Sequence, residues 1–146
     1  MIKLEIIQNL KDKVFFVVNK LNKLKILSEF LLRLTLGIAF LIHGFGKFPL
    51  PPQKLMDYFN FSPFLSSFVA LSEIYAGFTL ILAFFFKNFF GDILTRLSGL
   101  IIIIIMTFAF YLAHKDWFIS TKLFTSEQVF LFILGLYFLI NGNKNL

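Results

Sequence analysis

Leu100–Met106 reads Leu-Ile-Ile-Ile-Ile-Ile-Met, seven apolar residues without a break, inside a longer stretch with almost no charge. Water is a poor solvent for such a segment. Three more stretches share the character, so the chain offers candidate spans at about 30–47, 63–86, 93–114 and 126–142. Each membrane crossing by a helix takes about 20 apolar residues. No stretch alternates with period two over a strand's length, which argues against a barrel. The expectation is an all-α integral membrane protein, a bundle of four transmembrane helices. Composition agrees: 58% of the 146 residues are hydrophobic and only 15% charged, where soluble domains sit nearer half and a quarter. The fourth span is the shortest, with a continuous apolar stretch of Val129–Ile140.

Residues 1–28 differ from the rest. Ile7, Leu10, Val14, Val17, Leu21 and Leu24 recur at three- and four-residue spacing, among Lys3, Lys11, Lys13, Lys20, Lys23 and Lys25. That pattern predicts a basic amphipathic helix lying in the interface of an anionic leaflet; the alternative is a mobile basic tail. The run Val14–Val18 is too short for a signal-peptide core and no small-residue cleavage site follows, so the segment is expected to be retained. The domain reading is thus 1–28 interfacial and 29–146 transmembrane. In the loop between the first two spans, Pro49, Pro51 and Pro52 predict an end to the first helix and a short one after it.

The net charge of +6 lies outside the apolar runs, so the lipid bilayer rather than nucleic acid is the expected partner. With four spans both termini share one side. That side carries ten Lys and Arg and the other four (Lys47, Lys54, Lys115, Lys122), which puts the termini in the cytoplasm. There is no cysteine, which excludes disulfide relays, Cys nucleophiles and Cys-ligated clusters within the chain.

Ionisable residues inside spans are costly and face the bundle interior. On the first span Arg33, Gly37, Phe40, Gly44 and Lys47 fall on one side, with His43 beside it. On the second, Ser62, Ser66, Glu73 and Gly77 share a stripe, Ala70 at its margin. Glu73 stands about 15 Å from the outer end, near the bilayer midplane. A carboxylate there needs a cation or a proton, and Arg33, His43 and Lys47 are the cations at hand. On the third span Arg96, Thr107 and His114 point one way, with Arg96 a candidate snorkelling anchor. His43, Lys47, Glu73 and His114 are therefore expected to line one polar pocket in the outer half of the bundle. The bland counterpart is a buried Glu73–Arg or Glu73–His bond that sets helix register. Tyr111 and Tyr137 read as core packing.

The segment from Leu32-Arg33-Leu34-Thr35-Leu36-Gly37 to His43-Gly44-Phe45-Gly46-Lys47 resembles the first-helix signature of the DoxX family. Glu73 with Ala76-Gly77, Ala109 with Ala113-His114, and Asn141-Gly142 resemble its later landmarks. The resemblance runs from about 29 to 143. It implies a small four-helix protein of the bacterial cytoplasmic (inner) membrane, associated with quinone-linked oxidoreductases such as thiosulfate-oxidising and terminal-oxidase complexes.

Four functions compete on these residues. In the first, the chain is a membrane subunit of a quinone-linked oxidoreductase, not catalytic alone. His43 and Glu73 would be the catalytic pair, and Arg33, His43, Lys47, Glu73 and His114 the cofactor-binding set for a quinone, with electrons from partner subunits. A bis-histidine haem site is disfavoured, because it would take both histidines at matched depth. A small transporter would fit the buried charges but leaves little room without a homo-oligomer. A non-catalytic scaffold or assembly protein would use the polar groups as interhelical pairs. No metal site is expected, since no helical His-x-x-His or Glu-x-x-His pair exists.

Overall fold

In a computed structural model, which describes residues 2–113 and 121–143, the described residues form seven helices and no strand. They are α1 (Ile2–Asn22), α2 (Lys25–Phe45), α3 (Gln53–Phe59), α4 (Pro63–Ala83), α5 (Phe89–Ala113), α6 (Lys122–Thr125) and α7 (Glu127–Asn141). The chain divides into two compact units, Met1–Leu31 and Leu32–Leu146. In the first, α1 is one continuous helix, followed by a turn at Lys23–Leu24 that is closed by Leu24 N–H to Leu21 O at 2.9 Å.

The second unit is built inside-out. Its buried core is Leu36, Phe40, Ala76, Leu80, Ile102, Met106, Phe110, Leu131 and Phe138. Its exposed side is no less apolar: Phe64, Phe68, Leu71, Tyr75, Phe78 and Leu82 run along one face of α4. A helix with apolar residues on both sides suits a lipid surround. Three helices, α2, α4 and α5, are long and apolar enough to cross a membrane. At 15 residues, α7 is about 22 Å long, short of the ~30 Å hydrocarbon core.

Small residues let these helices touch. A methyl group on Gly77 would come within 2.5 Å of the Gly37 carbonyl oxygen, and one on Gly99 within 2.7 Å of the Gly135 carbonyl oxygen. The α2–α4 and α5–α7 crossings are therefore backbone against backbone, the close approach that small residues permit in membranes. Local signals set the boundaries. Pro63 opens α4 behind Ser62, whose side chain accepts the Leu65 N–H at 3.2 Å. The prolines end α2 and α3 starts immediately after Pro52. Both boundaries follow the sequence expectation. The first span begins earlier than expected, at Lys25 rather than about 30, and the second ends earlier, at Ala83 rather than about 86.

Candidate functional site

Two groups of polar side chains interrupt the apolar interior of the second unit, one at the C-terminal end of α4 and one at its middle. The first joins the start of α5 to the end of α7. Arg33 is fully buried. Its guanidinium donates to Thr95 Oγ1 at 2.8 Å and to the Gly142 carbonyl at 3.1 Å, and its carbon lies 4.9 Å from the centroid of the Phe138 ring. Thr95 Oγ1 is also 2.8 Å from Asn143 Oδ1 and 2.9 Å from the Gly91 carbonyl; its single proton serves one of them at a time. Asn143 Nδ2 donates to the carbonyls of Ala83 and Phe86, at 2.8 and 3.1 Å. Asp92 accepts the Asn143 N–H and the Arg96 Nε–H, both at 2.8 Å.

Arg96 then donates to the carbonyls of Leu139 and Ile140 at 2.7 and 2.8 Å. These are orphan acceptors at the end of α7. Its head thus folds back on a neighbouring helix, and the expected snorkelling anchor is a cap instead. Gly142, with φ of 58°, turns the chain out of α7 directly over Asp92; a Cβ there would sit 2.0 Å from Asp92 Oδ1.

The second group centres on Glu73, the midpoint of α4, about 15 Å from either helix end. Its carboxylate accepts a hydrogen bond and ion pair from Lys47 Nζ. Lys47 stands just past the end of α2 and also donates to the His43 carbonyl at 3.2 Å, so its side chain reaches back along α2 toward the bundle interior. The Glu73 side chain is 6% exposed and that of Lys47 20%. The His43 ring is about half exposed, its Nε2 3.8 Å from Glu127 Oε1 at the start of α7. Between the two groups, Thr79 Oγ1 and Ser98 Oγ share a hydrogen bond of 2.7 Å from α4 to α5.

The structure thus brings His43, Lys47 and Glu73 together, and Glu127 joins them. Among the cations available to Glu73 it selects Lys47, neither Arg33 nor His43. Arg33 stands in the other group. His114 lies outside the described residues. The helical wheel of α2 anticipates its buried side well: Arg33, Gly37, Phe40 and Gly44 are buried, with Leu36. On α5 the buried side is Gly91, Thr95, Ser98, Gly99, Ile102, Met106 and Phe110, while Thr107, grouped in sequence with Arg96, is exposed and bonded to its own helix at Ile103 O. Sequence reasoning missed Thr79, Thr95, Ser98 and Asn143. The available signal was the spacing of Gly91, Thr95, Ser98 and Gly99, a small and polar stripe in an otherwise bulky helix.

Lys47 and Glu73 can exchange a proton, and the His43 imidazole and Lys47 ammonium are hydrogen-bond donors at the rim. Such a set can hold a polar carbonyl head while an apolar tail remains in lipid.

Searches of curated proteins and of solved structures returned no match. The sequence profile of the DoxX family matches residues 28–115, more than half of the chain, and includes Arg33, His43, Lys47 and Glu73. The chain is therefore a membrane protein and belongs to the DoxX family.

Proposed function

We propose that the protein is a membrane subunit of a quinone-linked oxidoreductase, with the quinone head held by His43, Lys47 and Glu73. The observation that carries this reading is the Lys47–Glu73 pair, an ionised or proton-sharing couple at the middle of a membrane helix, next to a half-exposed imidazole. Intramembrane ionisable residues mark sites and proton paths more often than plain packing. The donor set fits a quinone: the group accepts hydrogen bonds at its carbonyl oxygens and takes up two protons with two electrons on reduction.

His43 Nε2–H and the Lys47 ammonium would bind and orient a carbonyl oxygen. On reduction Lys47 would give a proton to the carbonyl oxygen at the rim, and Glu73, when protonated, would return one to Lys47, so that the pair carries protons outward to the quinone. The cysteine-free chain has no nucleotide-binding motif, and electrons would come from a partner subunit. Arg33 is left out of the cofactor-binding set, since its guanidinium is engaged by Thr95, Gly142 and Phe138. If α7 crosses with the other three, both termini lie on the more basic side, the cytoplasmic face of a bacterial inner membrane.

The test is quinone binding by the purified protein in lipid nanodiscs. Wild type should bind saturably, and both His43→Ala and Glu73→Gln should lose the affinity while keeping their helix content. No binding by a folded wild type would overturn the reading in favour of a scaffold, in which the pair only joins α2 to α4.

A further inference from the structure

We infer that the α1 helix is a binding surface for the anionic lipid headgroups of one leaflet, held flat on the membrane by an apolar stripe edged with lysines. The whole of α1 lies outside the family match, and the inference stands independently of the quinone reading. The first step is the arrangement around the helix. With Leu10 set at zero, Val17, Leu21, Val14, Ile7 and Val18 fall between about −20° and +80°. These six residues are between 44% and 62% exposed, an unpartnered stripe along the described helix.

From Ile7 onward the charges are sorted about that stripe. Lys11 stands roughly 20° beyond one edge, and Lys13 and Lys20 roughly 40° and 60° beyond the other. Asp12, Asn19 and Gln8, at about 200°, 180° and 160°, lie on the side opposite the stripe. Lysine stems at the edges of an apolar stripe can lie along lipid while their ammonium groups reach the phosphates. Asp12 points away from that plane.

The same sorting decides between occupants. Two copies of α1 packed stripe to stripe would set lysine against lysine in either orientation, because both edges are basic and Asp12 is remote. A neutral bilayer would take up the stripe but gain nothing from the lysines. An anionic leaflet satisfies both, at about a fivefold gain in binding for each lysine near the surface. It is also within reach, since α1 is followed after two residues by α2, a helix apolar enough to span. Val14–Val18, with Phe15 and Phe16 well exposed beyond the stripe, makes the middle of α1 apolar all round, so this turn should lie deepest.

The absence of cysteine makes the test direct. Single cysteines at Leu10, Leu21, Gln8 or Asn19 of the full-length protein would carry a nitroxide. Its collisions with oxygen, enriched in lipid, and with a water-soluble nickel chelate would be compared in proteoliposomes. In phosphatidylglycerol–phosphatidylcholine vesicles the Leu10 and Leu21 labels should favour oxygen and the Gln8 and Asn19 labels the chelate. Replacing Lys11, Lys13 and Lys20 by Gln should shift the Leu10 label toward water by about fivefold per lysine, as should high salt. Three results would overturn the inference: stripe labels in water on anionic vesicles, no response to the lysine replacements, or spin–spin broadening between chains that persists in neutral lipid. The last would assign the stripe to a second copy.

Discussion

The two polar groups of the second unit are made from similar residues and finished differently. At the Arg33 end, charged side chains meet backbone carbonyls, amides, hydroxyls and one another, and the centre of the cluster is closed: Arg33 is fully buried and Asn143 nearly so, with the Arg96–Asp92 pair, 31% and 16% exposed, at its edge. At the Lys47 end, the buried Glu73 carboxylate pairs with a Lys47 that is 20% exposed, and the neighbouring His43–Glu127 pair is more exposed still, at 46% and 66%. A closed network in low dielectric fixes geometry, because any member removed leaves others unsatisfied. An open one can bind something or move a proton. Burial of charge alone does not mark a functional site; a charge that is buried at one end and accessible through its partner at the other is the better sign.

The sharpest way to break this contrast is to remove the head of the closed group. Arg33→Leu would leave Thr95 and the Gly142 carbonyl without their strongest donor and is expected to cost about 3 kcal/mol. Loss of helical signal on titration with dodecyl sulfate in mixed micelles would measure it. Arg33→Lys should recover little, since an ammonium cannot reproduce a planar fork spread between two acceptors. A loss below about 0.5 kcal/mol, the range of ordinary surface changes, would mean that the closed group is not what holds α5 to α7.

At the open end the two partners should behave unequally. Lys47→Met strands a carboxylate that is nearly buried, whereas Glu73→Gln strands an ammonium that can turn toward water. The first is expected to cost about 2 kcal/mol and the second about 1 kcal/mol. The double variant should cost less than their sum, a coupling of about 1 kcal/mol. Quinone binding should not return with the stability, because a Met–Gln pair in that place offers no ionisable donor. Recovery of both together would reduce the Lys47–Glu73 pair to a helix tie.

Much of this was legible in sequence, for a physical reason: in a bilayer every ionisable residue inside a span is informative. Glu73 stands alone at the centre of its apolar run, and the 100° wheel puts Arg33 and Gly44 on one side of α2 with no further input. What was not legible came from residues that are ordinary in any helix. Thr95, Ser98 and Thr79 each bond a carbonyl of their own helix one turn back as well as a partner, so sequence alone gives them a local explanation that hides the interhelical one. Asn143 lies beyond the end of α7, where no periodicity reaches. Which cation Glu73 takes was equally open, because Lys47 reaches it by folding back from beyond the last turn of α2. The shared hydroxyl bond is accordingly expected to be worth little: Thr79→Val should cost about 0.6 kcal/mol in the same titration.

The smallest effect on stability should come from the residue with the largest proposed effect on binding. His43 is half exposed, and its one described side-chain partner, Glu127, is itself mostly in solvent. An exposed pair of this kind contributes between zero and about 1 kcal/mol, so His43→Ala should leave the unfolding midpoint within about 0.5 kcal/mol of wild type. In the same preparation quinone affinity should fall tenfold or more, about 1.4 kcal/mol, because the rim donor has gone. The two readouts separate only if this end is open in the sense drawn above. Should stability and binding fall together, His43 would be holding α2 to α7, and the contrast between the two ends would be one of solvent exposure alone.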